Sequence, residues 1–278
     1  SQLLGRDVIR LDGQREHITV FFADVRGFTK LTDVNQTRAE NYVRDHHLTG
    51  VAAEAHFDKN AKDTLDTVNL YLAAIADQVK KHNGTLDKYI GDCVMAFWGA
   101  PTPNVQHAVA CVRAAMDAQI AMHLINVGRA ADNRRFEEEN RQRAAAGQEP
   151  LNLLPLLALG TGINTGTAIV GMMGSEAHII NYTVFGREVN LASRLESVSG
   201  HSRIIIGEAT FRELEKFDME LGALCVELEP VTPKGFSMPI RIWEVPWRKF
   251  LPPGTPELPS AEAAAAKPEK PAVPDKPA

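Results

Sequence analysis

Hydrophobic residues along this chain fall into short runs and periodic stripes, separated by polar stretches marked with glycine and proline. The run ITVFFADV, Ile18 to Val25, is apolar almost without alternation, which predicts a central strand covered on both faces. Thr64 to His82 has helical periodicity and stops at Asn83-Gly84, a pair suited to ending a helix. Thr85 to Ile90 and Cys93 to Trp98 read as strands around Gly91-Asp92, a dipeptide made for a tight hairpin. Val109, Val112, Met116, Ile120 and Leu124 recur at spacings of three and four, which predicts an amphipathic helix. Leu157 to Asn164 and Thr167 to Gly171 are predicted as two strands turning at Thr165-Gly166. A helix from Arg187 to Ser199 follows, then strands at Arg203 to Ile206 and Ile240 to Val245. The order predicts an α+β fold close to the ferredoxin-like βαββαβ arrangement.

Three stretches interrupt this pattern. Gln36 to Lys62 is polar and weakly periodic, and reads as a loop or lid. Gly128 to Glu149 places opposite charges four apart at Arg134/Glu138, Arg135/Glu139, Glu137/Arg141 and Glu139/Arg143. That predicts a solvated helical insertion ended by Gly147 and Pro150. The last 28 residues, from Leu251, hold 8 of the 16 prolines and no aromatic residue, the composition of a disordered tail.

Composition narrows the class. A net charge of −5 builds in no attraction to nucleic acid or anionic lipid, and neither is expected as a partner. Cys93, Cys111 and Cys225 are far apart and odd in number, so they form neither a disulfide framework nor a metal-site spacing and fit a reducing cytoplasm. The longest apolar run, Leu153 to Leu159, contains Pro155 and is far too short to span a bilayer. No signal peptide is visible and the chain starts at Ser1, so a cytoplasmic piece trimmed from a longer chain is expected, with membrane attachment of that longer chain left open.

Three segments could carry chemistry. Asp24 ends the apolar strand and is followed by VRGFT. A carboxylate there suits a hard cation, with the N–H groups of Gly27, Phe28 and Thr29 facing an anion; equally, it suits a helix N-cap. Asp92 at the hairpin tip is a natural turn residue. Were the hairpin to lie beside Ile18–Val25, Asp92 would meet Asp24, a costly pairing without a divalent ion. Asn190 and Arg194, four apart on a helix, share a face that can orient a sugar and neutralise a phosphate, or simply face solvent.

Together FADVRGFT, KYIGDCVMAFWGAP, GINTG and YTVFGREVNLASRLE resemble the successive motifs of class III nucleotidyl cyclase catalytic domains, over roughly Ile18 to Val245. The resemblance implies a domain that converts a nucleoside triphosphate into its 3′,5′-cyclic monophosphate and pyrophosphate. It implies a head-to-tail homodimer with sites shared across the interface. Asp24 and Asp92 match the carboxylates that hold two Mg²⁺ or Mn²⁺ ions, with Val25 lending its carbonyl, and Gly27, Phe28 and Thr29 match the phosphate turn. Asn190 matches the ribose-orienting residue, Arg194 the one bracing the α-phosphate, and Lys234 in PKGF a lysine reaching the triphosphate. Lys88 matches the lysine that accompanies adenine. Thr183 stands where many adenylyl cyclases have Asp, as in the subclass that includes bicarbonate-responsive enzymes. An ammonium can donate to adenine N1 and a hydroxyl can accept from the N6 amine, so ATP is the expected substrate. The rivals are a guanylyl cyclase and an inactive homology domain serving dimerisation or nucleotide sensing. The implied layout is a lead-in over 1–17 from an upstream regulatory region, a catalytic domain over 18–250 with its insertion at about 128–149, and the tail over 251–278.

Overall fold

The computed structural model describes residues 13–174 and 180–258. Strand β1 (Gln14–Arg26) leads into helices α1 (Phe28–Asp45) and α2 (Gly50–Lys81), the hairpin β2 (Thr85–Ile90) and β3 (Cys93–Trp98), helix α3 (His107–Ala145) and strand β4 (Ala158–Gly174). These strands run β2-β3-β1-β4, all neighbours antiparallel, which is the ferredoxin-like order expected. Strand β5 (Ile180–Phe185) pairs with the far end of β4, and helix α4 (Arg187–Ser199) crosses to β6 (Arg203–Gly207), which pairs parallel with β4. Helices α5 (Glu208–Phe217) and α6 (Met219–Leu224) and the hairpin β7 (Val226–Val231) and β8 (Ile240–Glu244) complete the far edge.

The apolar run of β1 is explained by its two covers. Phe21, Ala23 and Val25 face α2 and α3, packing with Tyr71, Ile75, Val112 and Met116. Ile18, Val20 and Phe22 face the opposite side with Val184, Val189 and Ala192 of β5 and α4. Strand alternation therefore sends Asp24 and Arg26 toward α4.

Three expectations are corrected, and a fourth is borne out in a longer element. Gln36–Lys62 is not a long loop: apart from a short turn at 46–49 it belongs to α1 and to a 32-residue α2. Its polarity reflects exposure, since α1 buries only Ala39 and α2 buries nothing before Thr64. The two strands around Thr165-Gly166 are one 17-residue strand, with Thr165 opposite Thr19 and Gly166 opposite Ile18. Gly166 marks a close approach, not a turn: a Cβ there would lie 2.7 Å from Glu188 Cγ. The solvated helix expected over Gly128–Glu149 is present, and it is the second half of a continuous 39-residue α3 that ends at Ala145. Of the four ion pairs expected there, Glu139–Arg143 is present at 3.6 Å, while Glu138 instead pairs with Arg141 at i+3. Last, β1 starts at Gln14, inside the segment assigned to a lead-in.

What holds the α3 extension is an asparagine ladder. Asn126, Asn133 and Asn140 sit seven apart on one helix face. Asn140 donates to Leu151 O at 3.0 Å and accepts from Leu151 N at 2.6 Å. Asn133 does the same to Leu154, and Asn126 donates to Leu157 O at 2.7 Å. The side chains pair the returning main chain as a neighbouring strand would. One 18-residue window of α3 has a mean hydropathy of 1.3, enough by length and composition for a membrane span, and half of it is buried inside the fold. Leu251 packs on the core and Pro256 O lies 2.9 Å from His123 Nε2; the rest of the proline-rich tail, 259–278, and lead-in residues 1–12 fall outside the described residues.

A buried polar chain crosses the core from Thr210 through Thr165 and Thr19 to His107 Nδ1, at 3.0, 2.8 and 2.7 Å. Burial, aided by His17, pushes His107 from the usual 6.5 down to about 4. Because the folded value is depressed, the unfolded chain takes a proton in this interval that the folded chain refuses. The stability contributed is complete above about pH 6.5 and is lost as pH falls toward 4, by up to about 3 kcal/mol. In urea unfolding across this window, His107→Gln should flatten the pH dependence; an unchanged slope would assign it to other groups.

Candidate active site

The strand end and the hairpin turn meet as their spacing suggests. Asp24 lies opposite Cys93 in the β1–β3 ladder, and Val25 N donates to Asp92 O at 3.2 Å. Asp24 does not cap α1: the cap position is Gly27, in a left-handed conformation (φ 91°), with no side-chain cap bond. The first N–H groups of α1, at Phe28 and Thr29, are thus left to face an anion. Burial raises the Asp24 carboxyl above its ordinary value, the nearby Asp92 charge adds to this, and Arg26 opposes both. No cluster of three or more His, Cys, Asp or Glu side chains able to hold a metal occurs among the described residues. The pair of carboxylates with the Val25 carbonyl is nonetheless an all-oxygen donor set, and its mutual repulsion is what a hard divalent cation relieves.

Two residues of this centre were not legible as functional. Arg26 Nη1 donates to Asp24 Oδ2 at 2.8 Å, while Nη2 donates to Glu196 O at 2.9 Å and to the Glu196 carboxylate. Burial holds Glu196 up at about 7 against the pull of Arg26. The period of β1 could have flagged Arg26, which shares a face with Asp24; nothing local marks Glu196. Burial also pushes the Cys93 thiol up to about 12, which removes it as a nucleophile.

A second group forms between β2 and β5. Lys88 Nζ donates to Thr183 Oγ1 at 3.1 Å, and Thr183 donates to Asp87 Oδ2 at 2.6 Å. The two residues matched to base recognition are therefore brought together within one chain.

The third group lines a cleft of about 520 Å³ formed by Gly186, Arg187, Asn190, Arg194, Lys234, Gly235 and Phe236. Lys234, assigned on a short match, stands beside Asn190 and Arg194, and the Arg187 guanidinium stacks 5.3 Å from the Phe236 ring centroid. Three cations and an amide around one cleft suit a polyanion with hydroxyl groups. Among the described residues, no hydrogen bond or ion pair joins Asp24 or Asp92 to this cleft.

An acidic strand end, a donor–acceptor pair and a cationic cleft on a ferredoxin-like α+β frame define a domain for handling nucleotides. Residues 12–235 match the family model of the adenylate and guanylate cyclase catalytic domain, and the chain belongs to this class III nucleotidyl cyclase family. It is similar to the adenylyl cyclase CyaB from P. aeruginosa, with 31% identity and a TM-score of 0.57 over 84% of this chain and 96% of that one. It is similar in the same degree to the guanylyl cyclase Cya2, with 28% identity and a TM-score of 0.57 over 84% and 93%. The terminal-differentiation specific adenylate cyclase of Dictyostelium discoideum is 29% identical over 82% of this chain but only 8% of its own length. An adenylate cyclase of Anabaena cylindrica is 27% identical over 82% of this chain and 36% of its own length. The chain thus spans well under two thirds of these curated relatives.

Arg26 compensates buried carboxyl groups on two elements, so its removal strands both. Arg26→Ala should cost about 2 kcal/mol in urea unfolding at pH 7.5, below the range for a fully buried pair because the site is partly open to water. Glu196→Gln in the same chain should recover part of the loss. A double mutant no more stable than Arg26→Ala would show that Glu196 does not depend on Arg26.

Proposed function

We propose that this chain is an adenylyl cyclase catalytic domain that forms 3′,5′-cyclic AMP and pyrophosphate from ATP and serves, in the cytoplasm, as the output of a signalling protein. The observation that carries the choice of base is the contact of Lys88 with Thr183 at 3.1 Å. An ammonium beside a hydroxyl offers a donor to adenine N1 and an acceptor to its N6 amine, whereas guanine presents a donor at N1. Similarity alone does not choose, since CyaB and Cya2 match almost equally.

In this reading the ribose 3′-oxygen attacks the α-phosphorus, and the bond to the bridging β-phosphate oxygen breaks. Asn190 orients the ribose, Arg194 neutralises charge growing on the α-phosphate, and Lys234 with the Gly27–Thr29 turn holds the remaining phosphates. Asp24, Asp92 and the Val25 carbonyl would hold two Mg²⁺ or Mn²⁺ ions, which when bound lower the pKa of the 3′-hydroxyl and offset triphosphate charge. Among the described residues no hydrogen bond or ion pair joins Asp24 or Asp92 to the cationic cleft of the same chain, which supports completion of each site by a second copy arranged head to tail.

Incubation with ATP or GTP and Mn²⁺ should yield cyclic AMP with kcat/KM at least about tenfold above that for cyclic GMP, given about 1–3 kcal/mol per stranded polar group. Comparable values, or a preference for GTP, would replace the adenylyl reading with the guanylyl one.

Sharing of the site is tested by mixing inactive chains. Asp24→Asn and Arg194→Ala chains should each be nearly inactive alone, and the mixture should regain activity because each heterodimer contains one intact site. Continued inactivity after demonstrated subunit exchange would place each site within a single chain.

A further inference from the structure

Asp87 is the one described residue whose buried side-chain oxygen lacks a hydrogen-bond partner: its Oδ1. Its side chain is 1% exposed, and Lys88 Nζ lies 3.4 Å from Oδ1 without forming a hydrogen bond. A carboxylate kept dry and incompletely satisfied is costly.

The backbone explains how it arrives there. The β2–β3 register shifts between Leu86, opposite Ala96, and Lys88, opposite Met95, so Asp87 is the extra residue of a bulge. Regular alternation would send residues 87 and 88 to opposite faces. The bulge lets both reach Thr183, the carboxylate from within and the ammonium from the open side, where Lys88 is 38% exposed.

We propose that Asp87 is a positioning residue for base selection, which makes the Thr183 hydroxyl an obligate acceptor and so selects a purine carrying a 6-amino group. A threonine hydroxyl has one proton and by itself can donate or accept. A carboxylate only accepts, so the Thr183 proton goes to Asp87 Oδ2, at 2.6 Å. The remaining lone pairs of Oγ1 meet whatever stands outside, Lys88 in the free chain and the base edge when nucleotide binds. An amine at position 6 donates to that oxygen; a carbonyl oxygen, as in guanine, meets lone pair against lone pair. The inference rests on the adenylyl reading and adds to it that a residue outside the base-contacting pair sets the polarity of Thr183.

Competition binding of 3′-deoxy-ATP and 3′-deoxy-GTP, which lack the attacking hydroxyl, reads this directly. Asp87→Asn supplies an amide that can donate to Oγ1 and frees the hydroxyl proton to face the base. It should narrow the adenine preference about tenfold, which is about 1.4 kcal/mol. Thr183→Val should narrow it to a similar degree, and the double mutant should narrow it no further. Equal weakening of both nucleotides by Asp87→Asn would reduce Asp87 to a structural part of the bulge, and a full effect in the Thr183→Val background would route it elsewhere; either overturns the proposal. Should Asp87→Asn fail to fold, the wild-type protein decides. It should bind the 3′-deoxy triphosphate of unsubstituted purine at least tenfold more weakly than 3′-deoxy-ATP, and equal binding overturns the inference. A wild-type preference for 3′-deoxy-GTP would sink the adenylyl reading and this inference together, whereas an adenine preference unmoved by Asp87→Asn sinks the inference alone.

Discussion

Helix α4 lies on the bare backbone of β4, and that contact sets the distances on which the rest of the site depends. A Cβ at Gly162 would sit 2.0 Å from Glu196 N and 2.4 Å from Ala192 O, and one at Gly160 would meet Ser199 Oγ at 2.7 Å. At these two positions no side chain separates the elements, so the helix cannot settle closer there. Its underside carries Glu196 to Arg26 at the end of β1, while Asn190 and Arg194 line the cleft. The acidic end of the sheet and the cationic cleft are thus carried on packed neighbouring elements, although among the described residues no hydrogen bond or ion pair joins Asp24 or Asp92 to the cleft.

Charge is sorted across these elements. At one end, Asp24 and Glu196 share the Arg26 guanidinium with the Asp92 charge nearby, and burial raises Asp24 and Glu196 above their ordinary values despite it. At the other, Arg187, Arg194 and Lys234 surround one cleft. A surface with opposite charges at its two ends is complementary to itself under a two-fold rotation. That property favours the head-to-tail arrangement in the proposed function, and a polyanion with its cations would lie where the two ends meet.

The parts of the fold legible in the sequence are those where local pattern and burial agree. ITVFFADV is apolar on both faces because both faces are covered, and Gly91-Asp92 makes the two-residue turn, with Ile90 paired to Cys93. Helix α4 runs from Arg187 to Ser199 as expected. Helices α1 and the first half of α2 escaped because exposed helices need no apolar stripe. Gly166 read as a turn because a glycine required by a crossing helix looks the same in sequence as one required by a bend. The α3 extension read as an insertion since its contacts are asparagine amides to main chain, which leave no hydrophobic periodicity. Asp24, Asp92, Asn190 and Arg194 stood out through motif resemblance. Arg26 and Glu196 did not, because their roles arise only when β1 and α4 meet.

Asp87 shows the same limit most sharply, and it changes how the base-contacting pair should be understood. A strand with regular alternation would aim Lys88 at the base and turn residue 87 away, so the sequence pattern predicts one functional side chain where the bulge delivers two. Thr183 alone carries no preference, since a free hydroxyl serves a carbonyl as readily as an amine. In the proposed adenylyl reading the preference comes from the carboxylate behind it, which takes its proton at 2.6 Å, and from the ammonium beside it at 3.1 Å. On that proposal base identity belongs to a three-residue network, in which the member with the strongest control over hydrogen-bond polarity never touches the base. Substituting the two contact residues while leaving that carboxylate in place would keep the pocket biased toward an amine, however well the new contacts suit a carbonyl.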